Sequence, residues 1–228
     1  SNQYLHKIDI GLGDYLKILM AEVFKKGNSL YTIVNGPTWS EAEANANKLG
    51  GNLVSINSQE EDIFVWNNIG IPASLKGGEH NEYPSNHVFI GASDSEQEGV
   101  WKWLDGSSIS YENWALDQPD NSPPSGEDYL FYQSVHGVDG SGLYAGMWID
   151  ARNDYYIEQL ENSHIYGIAE IPFIQRGDSA YVIVEGPTWE EAEANANKLG
   201  GHLVTINDAE ENDWLVNNFP NETIWYTY

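Results

Sequence analysis

Three short stretches concentrate oxygen-bearing side chains: Gln118-Pro119-Asp120, Gly126-Glu127-Asp128 and Trp148-Ile149-Asp150. The first two put Gln118, Asp120, Asn121, Glu127 and Asp128 into one short segment, and Asp150 falls on a predicted strand that follows it. Carboxylate and amide oxygens of this kind suit a hard cation such as calcium, which takes about six to eight oxygen ligands. Pro119 fixes one backbone angle inside the cluster and so helps to aim its neighbours. Earlier in the chain Asp94 and Glu98 add two more carboxylates, four residues apart, just after a predicted strand.

Composition narrows what such a cluster can serve. A chain of 228 residues fits one or two domains. Nine tryptophans and fourteen tyrosines favour β-rich cores and ligand surfaces. The formal charge of −25 argues against nucleic acid, because phosphate binding needs a basic face. It fits a protein that binds cations or keeps a well-solvated acidic surface. The absence of cysteine excludes disulfides, zinc–thiolate sites and a cysteine nucleophile. No stretch has the length and apolarity of a membrane span, so no membrane insertion is expected. His6, His80, His87, His136, His164 and His202 are scattered without paired metal-ligand spacing, and no nucleophile elbow appears. In so acidic a chain Glu127 with Asp150 is poor support for glycoside hydrolysis. The chain is therefore not read as an enzyme.

The elements that must position these residues are repeated. Residues 29–69 recur at 179–219, with about two-thirds of the positions identical. Gly36 to Asn57 reads GPTWSEAEANANKLGGNLVSIN, and Gly186 to Asn207 reads GPTWEEAEANANKLGGHLVTIN. Each copy opens with a β-branched, aromatic strand, Tyr31 to Val34 or Tyr181 to Val184. Thr38 with Glu41, and Thr188 with Glu191, carry the capping-box signature. Trp39, Ala42, Ala46 and Leu49 then share one helical face, and Trp189 is expected on the same buried face of the second copy. Gly50-Gly51 stops the helix. A short strand over Leu53 to Ile56 follows. A second cap, Ser58 with Glu61 or Asp208 with Glu211, opens a helix bearing Ile63, Phe64 and Trp66 in the first copy.

Beyond a Gly- and Asn-rich loop, Lys76 to Asn86, the first copy turns to β. Strands are predicted at His87 to Gly91, Trp101 to Leu104, Tyr129 to Tyr132, Gly146 to Trp148 and Tyr166 to Ile171. The order is an α+β layout. The spacing of Ile8, Leu12, Leu16, Leu19 and Val23 predicts a helix over 8–24, weakened by Gly11 and Gly13. The reading divides the chain into an N-terminal segment or linker (1–28), a complete domain (29–173), a linker (174–178) and a truncated second repeat (179–228), as if cut from a tandem array. That partial copy is expected to pack on the first, to exchange between chains, or to stay partly unfolded.

In that order and spacing the first copy resembles a C-type lectin-like domain. The motifs are the Trp39 to Leu49 helix with its Gly-Gly stop, Leu53 to Ile56 and Glu60-Glu61. They continue through Phe89-Ile90-Gly91, Glu98-Gly99 with Trp101 and Trp103, and Asn113-Trp114. The oxygen-rich triplets and the closing Ala169-Glu170-Ile171-Pro172 complete the match. The resemblance implies an α+β fold with two helices, small antiparallel sheets and a long calcium-binding loop, with Trp101, Trp103 and Trp114 in the core. It places Ala46 with Ala169, and Tyr129 with Asn153, where the family has its two disulfides. Forgoing them costs about 3 kcal/mol each. The cysteine-free form is similar to the many-copy lectin-like domains of large bacterial surface and secreted proteins.

The resemblance also implies two calcium positions. Asp94, Glu98, Asn121, Glu127 and Asp128 match the structural one. Gln118, Asp120, Glu127 and Asp150 match the one at which the metal also chelates two vicinal sugar hydroxyls, and the Gln-Pro-Asp triplet goes with galactose-type sugars. Two features depart from the family. Ile149 replaces the asparagine that usually precedes Asp150, and no aromatic ring follows the triplet in Asn121-Ser122-Pro123-Pro124, which leaves Tyr111 or Tyr144 as candidates for stacking on a sugar. The implied function is a calcium-dependent carbohydrate-binding module, secreted or on the cell surface. Its partners would be a glycan or cell-surface polymer and the neighbouring repeats of the same chain. The alternative is a structural or adhesive repeat that keeps calcium and binds protein or no sugar.

Overall fold

The computed structural model describes residues 3–9, 23–75, 87–122, 126–135, 143–154 and 166–219. In chain order these form β1 (Gln3–Asp9), β2 (Phe24–Lys26), β3 (Ser29–Asn35), α1 (Trp39–Lys48), β4 (Asn52–Leu53) and α2 (Gln59–Val65). A π-helical turn, Trp66–Gly70, leads into α3 (Ile71–Leu75). Then come β5 (Val88–Ser93), β6 (Lys102–Trp103), β7 (Tyr129–Tyr132), β8 (Trp148–Ala151) and β9 (Tyr166–Pro172). The second copy brings β10 (Ile174–Arg176), β11 (Ser179–Glu185), α4 (Trp189–Lys198), β12 (His202–Leu203) and α5 (Ala209–Asn218).

Capping chemistry sets where the helices begin. The Thr38 hydroxyl accepts the Glu41 N–H at 3.1 Å and donates to the Glu41 carboxylate at 2.8 Å. Ser58 accepts the Glu61 N–H at 3.2 Å, while the Glu61 carboxylate accepts the Asn57 N–H at 2.9 Å. Each satisfies amide groups that a first helical turn leaves without partners. The start of α1 is also tied down by Asn153. Its carbonyl accepts the Trp39 N–H at 3.1 Å, and its side-chain oxygen accepts the Ser40 N–H and hydroxyl at 3.0 Å each.

Two compact units divide the described residues. One holds Tyr31–Ala46 and Asn52–Glu170; the other holds Asn47–Gly51 with the described chain before Tyr31 and from Ile171 on. In the first unit the strands run β3-β9-β5-β7-β8, with β4 beside β9 and β6 beside β5. Its core is built from α1 and the central strands: Ala42, Ala46, Leu53, Phe89, Ile90, Phe131, Ile168 and Ala169 are buried. Phe89 and Phe131 are register partners whose rings lie 4.5 Å apart. Gly91 on β5 is required by that packing, since a β-carbon there would collide with the Leu53 carbonyl oxygen. Ala46 and Ala169, which stand where the resemblance implies one cysteine pair, are both fully buried, and Tyr129, at the other such pair, packs its ring 4.7 Å from Trp39. The second unit carries a four-stranded sheet, β10-β11-β1-β12, with Tyr181, Leu215 and Phe219 as its buried cluster.

Several expectations shift. The helix predicted over 8–24 is not formed in its described parts: Ile8 lies in β1 and Phe24 in β2, while residues 10–22 fall outside the described residues. Ile8 and Asp9 pair with Ala180 and Ser179 of β11. The stretch 174–178, expected to be a linker, forms β10 and the turn into β11. The strand after α1 spans only Asn52–Leu53, and β8 starts at Trp148 instead of ending there. Trp189, expected on a buried helix face, is 55% exposed. The Lys76 to Asn86 loop lies outside the described residues. Among the described residues no helix is long and apolar enough to cross a membrane.

Candidate functional site

The long loop between β6 and β7 hangs on an aromatic hub. Trp148 is fully buried and meets Trp103, Tyr111 and Trp114 edge-on, at 5.5, 5.7 and 5.9 Å. Edge-to-face contacts of this kind are preferred by ring quadrupoles. The loop backbone is pinned to the same residue, since Trp148 N–H donates to Asn113 O at 2.7 Å and Ala115 N–H to Trp148 O at 2.8 Å. Two positions further along β8, on the same strand face, comes Asp150. It pairs with Leu130 of β7 and is only 4% exposed.

Asp150 organises the triplet. Its carboxylate accepts the Asp120 N–H at 3.1 Å and the Asn121 N–H at 2.8 Å, and its own N–H donates to Gln118 Oε1 at 3.3 Å. The Gln118–Pro119 peptide is cis, and Asp117 and Asn121 take φ values of 63° and 46°. Asp and Asn tolerate that left-handed region better than most side chains. Gly126, at φ 73°, completes the turn. From there Glu127 folds back: its N–H donates to Asn121 Oδ1 at 2.9 Å and its carboxylate accepts the Ser122 N–H at 2.9 Å. The Ser122 hydroxyl donates to Asp120 at 3.1 Å. Residues 123–125, with Pro123 and Pro124, lie outside the described residues.

These bonds bring one carboxylate oxygen from each of Asp120, Glu127 and Asp150 within 4.8 Å of one another, the one such group among the described residues. Burial, and then the charges of Asp150 and Asp120, push the Glu127 carboxyl up to about 6, against the pull of the Ser122 N–H. Burial also raises Asp150, partly offset by the Asn121 and Asp120 amides. Crowded, partly desolvated carboxylates resist ionisation together, and a divalent cation reverses that preference. The donor set is oxygen only, which fits calcium or magnesium and not a soft metal.

The other predicted set is gathered less tightly. Asp94 is 3% exposed; one carboxylate oxygen accepts the Gly99 N–H at 2.8 Å, while Oδ1 is buried with no hydrogen-bond partner. Burial raises its pKa, and the charges of Glu98 and Asp128 add to the rise. The Asp94 N–H donates to the Asp128 carbonyl at 3.2 Å, which fixes the two loops together. Glu98 is exposed, and Asp94, Glu98 and Asp128 do not form a three-carboxylate group of the kind seen at Asp150. Gln118, predicted as a ligand, turns its oxygen to the Asp150 backbone.

Sequence reasoning missed Asp62. This α2 carboxylate is 5% exposed and accepts Tyr132 Oη at 2.6 Å, Asn113 Nδ2 at 2.8 Å and Tyr111 Oη at 3.0 Å. Burial raises its pKa, against hydrogen bonds from Tyr132 and Tyr111 that lower it. Its sequence context, Glu60-Glu61-Asp62 in the first turn of a helix, looks like ordinary dipole complementation. Tyr111, a candidate for sugar stacking, is instead engaged with this carboxylate and with Trp148. His87 is buried, accepts the Ser134 N–H on Nδ1 at 2.9 Å, and burial lowers its pKa to about 4, so it sits in the core as a neutral ring.

This architecture matches known proteins. Residues 35–135 match the family model of the lectin C-type domain. The carbohydrate-recognition domain of cow CD23, solved in the presence of an oligosaccharide, is similar over 68% of this chain and 95% of its own, with a TM-score of 0.50 and 21% identity. The first copy thus has the C-type lectin fold. Among sequence relatives, the galactose-specific lectin nattectin of Thalassophryne nattereri is 34% identical over 100 residues, covering 43% of this chain and 57% of that protein. A type-2 ice-structuring protein of Hemitripterus americanus is 36% identical over 93 residues, covering 40% and 47%. The chain thus spans about half the length of these two relatives.

Proposed function

We propose that the first copy is a calcium-dependent carbohydrate-binding module of a bacterial surface or secreted protein. The observation that carries this reading is the convergence of the Asp120, Glu127 and Asp150 carboxylates beside the Gln118-Pro119-Asp120 triplet. A calcium ion there would be held by those three residues, with Gln118 bracing the Asp150 backbone, and would supply a coordination sphere that two vicinal sugar hydroxyls can enter. Asp94, Glu98, Asn121, Glu127 and Asp128 would hold a second, structural ion, and the unpartnered buried Oδ1 of Asp94 supports that assignment. Nattectin, described as galactose-specific, lends the sugar class. The partner is a glycan or a cell-surface polymer, and the lectin-like relatives speak against an enzyme.

A second reading rests on Ile149. It stands in β8 beside Asp150, half-buried, where the family pattern has a polar ligand. This favours a structural or adhesive repeat that keeps calcium and binds protein. Calorimetric titration of the full chain with calcium, followed by a glycan array in calcium and in chelator, separates the two. Calcium uptake with a chelator-sensitive glycan signal is the expected result. Uptake without any glycan signal favours the adhesive repeat, and no uptake removes both readings.

A further inference from the structure

In the first copy, β9 closes the sheet: it lies beside β3 and pairs antiparallel with β4 through Asn52↔Glu170 and Leu53↔Ala169. In the second copy the same place is held by β1. Gln3–Asp9 runs antiparallel to β11 along its whole length, from Gln3↔Glu185 to Asp9↔Ser179. It also pairs antiparallel with β12 through His6↔Leu203 and Lys7↔His202. His202 and Leu203 are the repeat counterparts of Asn52 and Leu53. Lys7 and His6 therefore stand at the register positions of Glu170 and Ala169, and Leu5 and Ile8 at those of Ile168 and Ile171.

We propose that the gap between β11 and β12 is a strand-acceptor site, and that Gln3–Asp9 fills it as a donor strand exchangeable between molecules. Strands flanking such a gap present unpaired backbone groups, which an added strand satisfies regardless of which chain supplies it. The occupant's apolar residues Leu5 and Ile8 fall at the register positions of the fully buried Ile168 and Ile171. The surroundings of the site repeat those of β9 in the first copy. In the first copy Glu170 accepts the Tyr31 hydroxyl at 3.2 Å, and Glu61 accepts it at 3.1 Å. The second copy keeps the counterpart pair, with Tyr181 Oη donating to Glu211 at 3.0 Å, and Glu211 is only 4% exposed. Exchange of such a strand between identical chains is a low-cost route to dimers.

The proposal is independent of the calcium reading, and the chain's lack of cysteine makes it directly testable. Under oxidised glutathione, the Leu5→Cys/Ile183→Cys chain is expected to cross-link within one molecule, because these positions are register partners. Mixing Leu5→Cys chains with Ile183→Cys chains at high concentration is expected to give a covalent heterodimer. No cross-link in the double variant overturns the donor assignment, and no heterodimer overturns the exchange. A second measurement uses His6→Pro/Lys7→Pro, which removes one N–H on each side of β1. Amides of β11 are expected to exchange at least tenfold faster, those of β5 and β7 to stay unchanged, and a peptide of residues 1–12 to restore protection. Protection of β11 that survives the prolines, or that millimolar peptide fails to restore, overturns the proposal.

Discussion

The two copies of the repeat share their local structure and differ in what covers it. Both helices run ten residues, Trp39–Lys48 and Trp189–Lys198. Both are capped by a threonine that accepts a glutamate N–H, at 3.1 and 3.2 Å. Glu43 and Glu193 each accept the amide of the following short strand, Leu53 at 2.7 Å and Leu203 at 2.8 Å. Asn45 and Asn195 each donate to the end of the preceding strand, at 2.7 and 2.8 Å. Solvation is where they part. Trp39 is 6% exposed and donates to the Ile90 carbonyl at 2.8 Å, whereas Trp189 is 55% exposed. Val54 and Ile56 are fully buried, whereas Val204 and Ile206 are only partly so. Hydrogen bonds within about ten residues follow from the local sequence; burial of a large ring needs distant strands.

The largest expected effect of breaking this difference is at the paired tryptophans. Trp39→Ala should cost the first copy about 3–5 kcal/mol, as for a large ring removed from a core. Trp189→Ala should cost the second roughly 0.5 kcal/mol or less, as at an exposed position. Denaturant titration read by hydrogen exchange of β5 and of β11 separates the two; equal losses would refute the contrast.

Next in size is the loop that, among the described residues, belongs to the first copy alone. Asp150→Asn should weaken calcium binding about 100-fold, because ligand charge count strongly tunes calcium affinity. Calorimetry checks this, and an unchanged affinity would remove Asp150 from the site.

A smaller effect is expected at Asp62, whose counterpart in the second copy is Asn212. Asp62→Asn presents amide hydrogens to the Tyr132 and Tyr111 hydroxyls that now donate to it, at a cost of about 1–3 kcal/mol. Asn212→Asp should move the second copy by no more than about 0.5 kcal/mol. Chemical denaturation of both variants tests the pair.

The mildest test is pH. Glu127 has a carboxyl raised to about 6 from an ordinary 4.5. The fold therefore favours its protonated form, so the metal-free loop is best ordered below the ordinary value and loses order as pH rises through about 6. Calcium needs the carboxylate, so its affinity should fall about tenfold per pH unit below 6. Exchange rates of the Asn121 and Ser122 amides, followed from pH 4 to 8 with and without calcium, should show opposite trends. Identical profiles would contradict the assignment.

The candidate site was legible as a composition of oxygen donors and as an ordered set of motifs. The resemblance had also put Asp120, Glu127 and Asp150 at one position, and these are the carboxylates that meet; the part played by Gln118 was not legible. The chain order placed Gln118 beside Asp120, Glu127 and Asp150 as an equal ligand, but its oxygen bonds the β8 backbone. Asp62 looked like a helix-end charge until Tyr111, Asn113 and Tyr132 came to it from residues 49, 51 and 70 positions away. Of the segment 8–24, read as a helix from its apolar spacing, Ile8 and Asp9 instead pair with β11.

Sequence alone determined the capped helix starts, the repeat, the central strands of the first copy and the supply of carboxylates, because capping, periodicity and turn chemistry act between residues close in the chain. Tertiary structure alone decided what holds Asp62, which tryptophan is dry and which strand closes the second sheet. Those outcomes depend on backbone partners and desolvation contributed by segments far apart in sequence, and no local pattern encodes them.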